Sequence, residues 1–238
     1  MTIPLCKGAY VARMAGGADD LLACQRLRHR CFFGGAGVDK DRFDALSQHV
    51  MVETEAGRLV ATLRVALWPD GTAMLGGYAA QFYDLTRLSK ATGPFAELGR
   101  FCVDPAVLDV DVLRIVWGAV TRLVDAAGAR YLTGCTSFSG VDPTPYGPTF
   151  AFLRSRFGAP DDLRPGQKAP EVVTFDRART TGGMRRMPPL LRTYLAMGGW
   201  VSDHAVVDRD LGTLHVFTCV PVAAIPAARA KALRAVAG

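Results

Sequence analysis

The chain has 238 residues, half of them hydrophobic, which is enough for one large domain or a domain with a sizeable insertion, and we favour one domain. No stretch approaches the roughly 18 uninterrupted apolar residues of a membrane-spanning helix, so we expect no membrane span. The first residues do not form a charged region followed by a long apolar segment, so we expect no secretory signal. The 28 lysines and arginines outnumber the 22 aspartates and glutamates, and the net charge of +6 favours acidic partners. Because no nucleic-acid-binding motif accompanies this charge, nucleic acid is not expected.

Six cysteines are spread along the chain without a CxxC pair, at positions 6, 24, 31, 102, 135 and 219. Most lie among apolar residues, as the core thiols of proteins in a reducing compartment do. Cys24, His29 and Cys31 are the nearest approach to a metal-ligand cluster, but no second half follows at zinc-finger spacing. We therefore expect a cytoplasmic protein with no bound metal.

The first part of the chain predicts a strand, a helix, a loop and an antiparallel strand pair, over residues 8–14, 19–32, 33–44, 48–54 and 58–68. The loop is rich in glycine and acidic residues, which is typical of a solvated connection or of a segment that closes over a substrate. Arg28 falls on the apolar stripe of the helix, and Arg64 lies on a strand face of small residues. An arginine in such a place either extends to the surface or enters a site.

Residues 95–104 predict a buried central strand that carries Glu97 and Arg100. A charged side chain buried alone costs several kcal/mol, so each of the two needs a partner. In a regular strand they point to opposite faces, but Gly99 permits a β-bulge that brings both towards one cleft. A structural ion pair with some other residue is the alternative.

The rest of the chain predicts a helix, a second central strand, an irregular excursion and a further helix, over residues 109–128, 131–138, 140–189 and 188–197. A final strand pair is predicted over residues 200–208 and 213–220. A strand, an amphipathic helix and a strand in succession indicate a crossover between parallel strands. The tail 223–238 is alanine-rich and carries Arg229, Lys231 and Arg234, which is typical of a short basic helix.

Several motifs, in order along the chain, resemble those of known acyltransferases. They are Arg28-xxx-Phe32, Asp41-xx-Asp44 followed by His49, Ala61-Thr62-Leu63-Arg64, Glu97-xx-Arg100-Phe101-x-Val103, Leu132–Phe138 and the segment from Pro188 to Asp208. Together they resemble the ornithine acyl-carrier-protein N-acyltransferases, which are related to the acyl-homoserine-lactone synthases, and the likeness spans roughly residues 8–220. The resemblance implies the GNAT fold, an α/β (α+β) domain over residues 1–238 with a mixed, mostly antiparallel sheet, a splayed parallel strand pair and flanking helices.

The resemblance also implies an activity, the transfer of a fatty or 3-hydroxy fatty acyl group from acyl carrier protein to the α-amine of ornithine, which gives lyso-ornithine lipid. An α-amine, with a pKa near 8, is easier to deprotonate at neutral pH than a lysine-like side-chain amine near 10.4, so α-N-acylation is favoured. The donor is then the acyl-phosphopantetheine of the carrier, and no bound cofactor is expected. The stretch between Pro105 and Val112 lacks the glycines that cradle a CoA pyrophosphate, in agreement with a carrier-protein donor.

The expected catalytic residue is Glu97, as a general base acting directly or through water. His49 is either a second base or a structural strand histidine. The candidates for substrate binding are Arg28, Asp41, Asp44, Arg64 and Arg100. Arginine forks suit the carboxylate of the acceptor, and the aspartates suit its side-chain ammonium. The candidates for the acyl-phosphopantetheine arm are Phe101, Cys102, Val103, Ser137 and Phe138, with backbone N–H groups of residues 101–103 meeting the oxyanion.

Other interpretations stay open. An acyl-homoserine-lactone synthase-like enzyme or an N-acyltransferase for another amino acid would keep the fold and the donor. A non-catalytic module that binds a membrane or a carrier protein would use only the basic tail and apolar surface. The expected partners are acyl carrier protein, a small amino-acid acceptor and, through the tail, the anionic inner face of the cytoplasmic membrane.

Overall fold

The computed structural model describes residues 4–176 and 183–238. The helices are Ala18–Phe32 (α1), Gly71–Met74 (α2), Val110–Ala126 (α3), Gly147–Phe157 (α4), Pro189–Ala196 (α5) and Ala227–Ala237 (α6). The strands are Pro4–Lys7 (β1), Tyr10–Met14 (β2), Gln48–Thr54 (β3), Leu59–Trp68 (β4), Tyr83–Asp84 (β5), Phe95–Val103 (β6), Tyr131–Ser139 (β7), Gly166–Gln167 (β8), Val172–Thr174 (β9), Trp200–Val201 (β10), His204–Asp208 (β11) and Thr213–Pro221 (β12). None of the helices in this described part is long and apolar enough to cross a membrane.

The chain divides into two compact units. The first comprises Met1–Leu67, Leu98–Ala129 and Ala227–Gly238, and the second comprises Trp68–Glu97 and Arg130–Pro226. Strand β6 therefore begins in the second unit and continues in the first. The prediction of one domain over residues 1–238 stays a prediction, because a division by contacts does not by itself separate independently folding domains.

The first unit contains the strand order β1-β2-β3-β4-β6, in which β1, β2, β3 and β4 pair antiparallel in sequence. Asp109 caps helix α3, because its side chain accepts a hydrogen bond from the backbone N–H of Asp111. The apolar face of α3 packs on β1, β2 and β3. Gly118 of α3 lies close to Leu5 and Val236, so that a Cβ there would lie 2.7 Å from Leu5 Cδ2. The missing side chain thus lets α3 approach both β1 and α6.

The predicted basic tail is helix α6, which packs against α3. Arg234 forms an ion pair with Asp125 at 2.9 Å, and the Arg122 side chain donates a hydrogen bond to the carbonyl of Ala237. The side chain of Arg229 remains exposed, as does that of Lys231. One of the three cations expected on this tail is therefore engaged within the unit.

In the second unit, β12 pairs antiparallel with β7, β11 and β10, and β9 pairs with β11. Two apolar clusters fill this unit. One is built around Tyr83, Phe95, Trp200 and Phe217, and the other around Phe138, Phe150, Phe175 and Leu191. In the second cluster the rings of Phe150 and Phe175 stack with centroids 4.5 Å apart, which joins α4 to the segment after β9.

The mixed sheet, mostly antiparallel with a parallel pair and flanked by helices, confirms the predicted fold class. Strand β1 was not predicted, because it is short and begins at a proline. The strand predicted over residues 200–208 is two strands, β10 and β11, interrupted where the Ser202 hydroxyl donates to the carbonyl of His204 and accepts from the N–H of Phe217. The excursion 140–189 contains α4, β8 and β9, and its residues 177–182 lie outside the described part of the chain.

A buried histidine in the second unit leads to a prediction about acid stability. The ring Nδ1 of His215 lies 3.1 Å from the Tyr83 hydroxyl, which donates to the His215 carbonyl at 2.7 Å. Burial, with a smaller contribution from His204, lowers the pKa of His215 to about 4. The unfolded chain, with a histidine pKa near 6.5, therefore binds more protons than the folded chain between these two values.

We expect the free energy of unfolding to fall as the pH is lowered from about 6.5 towards 4, by up to roughly 3 kcal/mol from this group, and to be insensitive to it above that window. Urea denaturation across this pH range measures the effect. His215→Gln should flatten the profile. An identical pH dependence in the variant and the parent would show that His215 does not carry the effect.

Candidate active site

Three arginines and three aspartates form an ion-pair network in the first unit: Arg28, Arg64 and Arg100 with Asp39, Asp41 and Asp44. Arg28 pairs with Asp39 through Nε and with Asp44 through Nη1, both at 2.8 Å. Arg64 contacts Asp41 at 2.5 Å and Asp44 at 2.8 Å. Arg100 reaches Asp39 at 3.0 Å and Asp41 at 3.3 Å. Five of these residues were predicted as substrate-binding residues, and the structure brings all five together.

The elements that hold the network explain why its charges are tolerated. Helix α1 presents Arg28 on its buried face, and β4 presents Arg64 from a strand whose middle is fully covered. The backbone of Arg100 has φ +52, the positive φ of a non-glycine residue, which marks an irregular point in β6 directly after Gly99. A Cβ on Gly99 would lie 3.3 Å from Arg64 Nε, so the glycine leaves room for the guanidinium.

The arginines of the network keep Asp41 and Asp44 ionised. Burial by itself raises the pKa of Asp44, but the contacts from Arg28, Gln25 and Arg64 outweigh it and hold that pKa well below its ordinary value. The pKa of Asp41 is lowered in the same way, mainly by Arg64 against the effect of burial. These two aspartates therefore carry their negative charges beside the arginines in the folded protein.

Exposure differs across the network. The side chain of Arg28 is 1% exposed and that of Asp44 is 4% exposed, whereas Arg100 is 12% and Asp41 is 22% exposed. A ligand in solution therefore meets Arg100 and Asp41 first. These two residues form the open edge of the network, and Arg28, Arg64 and Asp44 form its interior.

His49 lies beside the network. Its Nε2 is 3.1 Å from the carbonyl oxygen of Asp44, and burial lowers its pKa. Within the described part of the chain its buried Nδ1 has no hydrogen-bond partner. A neutral imidazole with this geometry fits either of the two predicted roles, and its assignment stays a prediction.

Glu97 belongs to the second unit, where three N–H groups hold its buried carboxylate. The indole Nε1 of Trp68 and the backbone N–H of Tyr78 donate to Oε2, each at 3.2 Å, and the backbone N–H of Ala79 donates to Oε1 at 2.7 Å. Hydrogen bonds of this kind stabilise the ionised form and fix its orientation. An oriented carboxylate in a covered setting is what a general base requires.

Gly77 is needed for this arrangement. A Cβ at that position would lie 2.1 Å from Glu97 Oε2 and 3.0 Å from the carbonyl of Met74. Any side chain there would therefore displace the carboxylate from its donors.

The candidates for the donor arm fall into both units. In the first unit, the hydrogen bond with Cys31 and burial raise the pKa of the Cys102 thiol, and the Val103 carbonyl lies 3.5 Å from Cys31 Sγ. In the second unit, strand alternation leaves Ser137 exposed and buries Phe138 in the apolar cluster that includes Phe150. The Phe138 ring is therefore a core side chain, and Ser137 is the more accessible of the two.

The sequence did not single out Asp39, Trp68 or Gly77. Asp39 lies in the acid-rich loop, two residues before Asp41. In an extended segment side chains two residues apart point to the same side, and this spacing was the signal that could have paired Asp39 with Asp41. The contact of Trp68 with Glu97 joins residues that are 29 positions apart, so no local sequence pattern predicts it.

Comparisons with known proteins show similarity to acyltransferases. A family described as acetyltransferase (GNAT) domain matches residues 27–118. The L-ornithine N(alpha)-acyltransferase of Brucella abortus is 28% identical over 239 residues, covering 90% of this chain and 85% of that protein. The enzyme of the same name from Rhodobacter capsulatus is 32% identical over 229 residues, covering 87% of this chain and 88% of that protein.

Two solved structures share the fold. FeeM, an N-acyl amino acid synthase from uncultured soil microbes, aligns with a TM-score of 0.54 at 12% identity, covering 90% of this chain and 92% of FeeM. TofI in an apo form aligns with a TM-score of 0.51 at 15% identity, covering 95% of this chain and 98% of TofI. These alignments confirm the predicted GNAT fold. The sequence relationship to the Rhodobacter enzyme, at 32% identity over most of both chains, goes further than the fold: the chain belongs to the L-ornithine N(alpha)-acyltransferase family.

Proposed function

We propose that this acyltransferase moves a fatty or 3-hydroxy fatty acyl group from acyl carrier protein to the α-amine of ornithine, giving lyso-ornithine lipid. The observation that carries the proposal is the Glu97 carboxylate, buried and held by three N–H donors, in a chain of this family. Such a carboxylate is pre-oriented to take a proton from an amine.

In the proposed reaction the amine nitrogen attacks the thioester carbonyl, and Glu97 takes the proton directly or through water. The backbone N–H groups of residues 101–103 stabilise the oxyanion. The C–N bond forms first, the oxyanion then collapses with cleavage of the C–S bond, and the phosphopantetheine sulfur leaves as a thiol with the proton that Glu97 returns. The products are an amide and the free carrier thiol.

The acceptor is proposed to bind at the open edge of the ion-pair network. Arg100 and Arg64 present guanidinium groups to its carboxylate, and Asp41 presents a carboxylate to its side-chain ammonium. Since Arg28 is the most buried member and Asp44 pairs with it at 2.8 Å, we propose that these two residues hold the others in place. A zwitterionic amino acid with a second cationic group matches this pattern of charges.

The carrier protein is proposed to dock on α1. Arg26 and Arg30 are both exposed and lie four residues apart on this helix, and Arg30 also pairs with Asp104 at 3.2 Å. Acyl carrier proteins are strongly acidic, so a basic helix face increases the rate of association. We also propose a cytoplasmic location, with contact to the inner face of the cytoplasmic membrane.

The donor experiment compares acyl carrier protein and acyl-CoA carrying the same acyl group at equal concentration, with the parent protein and with Arg26→Glu. We expect the carrier protein to be the better donor and the reversal to raise the KM for the carrier alone, on the order of tenfold. Arg229→Glu on α6 is the matched control and should change neither donor. Equal use of acyl-CoA with no effect of Arg26→Glu would contradict the carrier-protein assignment.

A separate prediction tests the support of Glu97. Gly77→Ala should reduce kcat by on the order of 100-fold, because a displaced catalytic group loses its alignment with the reacting atoms. Gly76→Ala is the matched control, since a Cβ there meets only the Ala73 carbonyl at 3.3 Å. Steady-state kinetics on both variants measure the difference, and equal activities would remove the Gly77 turn from the mechanism.

A further inference from the structure

The connection between α1 and β3 exposes three large apolar side chains. Phe33 is 49% exposed, Val38 is 44% exposed and Leu46 is 53% exposed. Monomeric proteins do expose single apolar residues, but several on one connection are typical of a surface that contacts another phase or molecule.

The same connection exposes two cations. Side chains alternate between the interior and the surface along residues 38–42. Asp39 and Asp41 contact the arginine network. The exposed residues are Val38, Lys40 and Arg42. The acidic side chains of this stretch are thereby engaged inside the unit. Its outer surface is left basic and apolar.

Hydrogen bonds of Asp39 and Asp41 add to their ion pairs in holding this surface in place. The backbone N–H of Asp39 donates to the carbonyl of Gln25 at 3.1 Å, and Asp41 accepts a hydrogen bond from the N–H of Phe43 at 2.9 Å. The apolar side chains are therefore presented on an anchored segment.

Two other surfaces lack this combination. Leu108 is 94% exposed beside Val110 and Leu113, but the neighbouring side chains of Asp109 and Asp111 are acidic and repel an anionic surface. Helix α6 exposes Arg229 and Lys231, but large exposed apolar residues do not accompany them in the described part of this helix.

We propose that the segment 33–46 is the surface through which the protein contacts an anionic lipid bilayer, with Phe33, Val38 and Leu46 entering the interface and Lys40 and Arg42 facing the lipid headgroups. This proposal rests on the proposed function in one respect. The product of the proposed reaction, an amino acid with one acyl chain, is an amphiphile. The segment that contacts the bilayer also supplies Asp41 to the proposed acceptor site.

Flotation with vesicles tests the proposal. Vesicles of phosphatidylcholine and phosphatidylglycerol in equal parts should carry the protein, and vesicles of phosphatidylcholine alone should carry much less. Phe33→Ser combined with Leu46→Ser should reduce binding on the order of tenfold, because both apolar contacts are lost. Lys40→Glu combined with Arg42→Glu should reduce binding to the anionic vesicles by a similar factor.

Two variants serve as matched controls. Leu108→Ser removes the most exposed apolar side chain elsewhere, and Arg229→Glu with Lys231→Glu reverses the exposed charges of α6. Both should float as the parent does. All variants should retain acyl transfer from soluble substrates without vesicles, which separates this result from a failure of the proposed activity.

The proposal fails if the parent does not bind anionic vesicles, or if the α6 reversal abolishes binding while the loop variants leave it intact. It also fails if the Lys40 and Arg42 reversals raise the KM for acyl carrier protein and leave flotation unchanged, since the segment would then contact a protein.

Discussion

The Glu97→Gln variant is expected to fold and to lose acyl transfer by roughly 10²–10⁴-fold in kcat, the usual range for the removal of a general base. The amide conserves the shape of the side chain but cannot take a proton from the attacking amine. In the wild-type protein the carboxylate accepts hydrogen bonds from backbone N–H groups, whereas the glutamine places its own NH₂ donor near them. A modest loss of stability should therefore accompany the loss of activity.

Thermal unfolding of the variant separates these two effects. Glu53→Gln is the matched control, because Glu53 is also largely buried and paired, with Arg13 at 2.6 Å, but lies outside the proposed chemistry. The control should keep its activity despite any loss of stability. Wild-type turnover by Glu97→Gln across the pH range would show that Glu97 is a structural residue.

The Arg28→Met variant is expected to lose about 3–5 kcal/mol of unfolding free energy, because Asp39 and Asp44 lose the partner they share and the buried network is left with one more aspartate than arginine. Methionine retains much of the apolar volume, so the loss reports this uncompensated charge more than a cavity. Urea denaturation at neutral pH measures it.

Arg58→Met is the matched control for this variant. Arg58 also pairs with an aspartate, Asp104, at 2.8 Å, but its side chain is 58% exposed. A pair in water contributes less than about 1 kcal/mol. Similar small losses in the two variants would contradict the assignment of Arg28 to the interior of the network.

Much of the fold was predictable because its elements carry strong periodic patterns. Helices α1 and α3 have apolar stripes at helical spacing, and β3, β4 and β6 are apolar runs bounded by turn residues. Strand β1 was missed because four residues are too few for a period to emerge. The packing of α6 against α3 could not be predicted, because it depends on the absence of a side chain at Gly118, where Val236 of α6 lies close. Such a contact between distant residues leaves no local sequence pattern.

The candidate site was predictable where the sequence placed a charge among apolar residues. Arg28, Arg64 and Glu97 stood out because an unpartnered buried charge is costly, and each has partners in the structure. The identity of those partners was harder to predict. Trp68 donates a hydrogen bond to Glu97, and Gly77 leaves room for its carboxylate. Both contacts depend on tertiary structure, and in sequence the two residues resemble ordinary loop residues.

The proposed reaction is tested most directly by mass spectrometry of the products formed by the purified protein from acyl carrier protein and an equimolar mixture of amino acids that includes ornithine and lysine. We predict one dominant product, an ornithine amide of the acyl group, and fragmentation that places the acyl chain on the α-nitrogen. The Glu97→Gln protein should form almost none of it. A dominant product on another amino acid, a lactone in place of an amide, or acylation of the side-chain nitrogen would contradict the proposal.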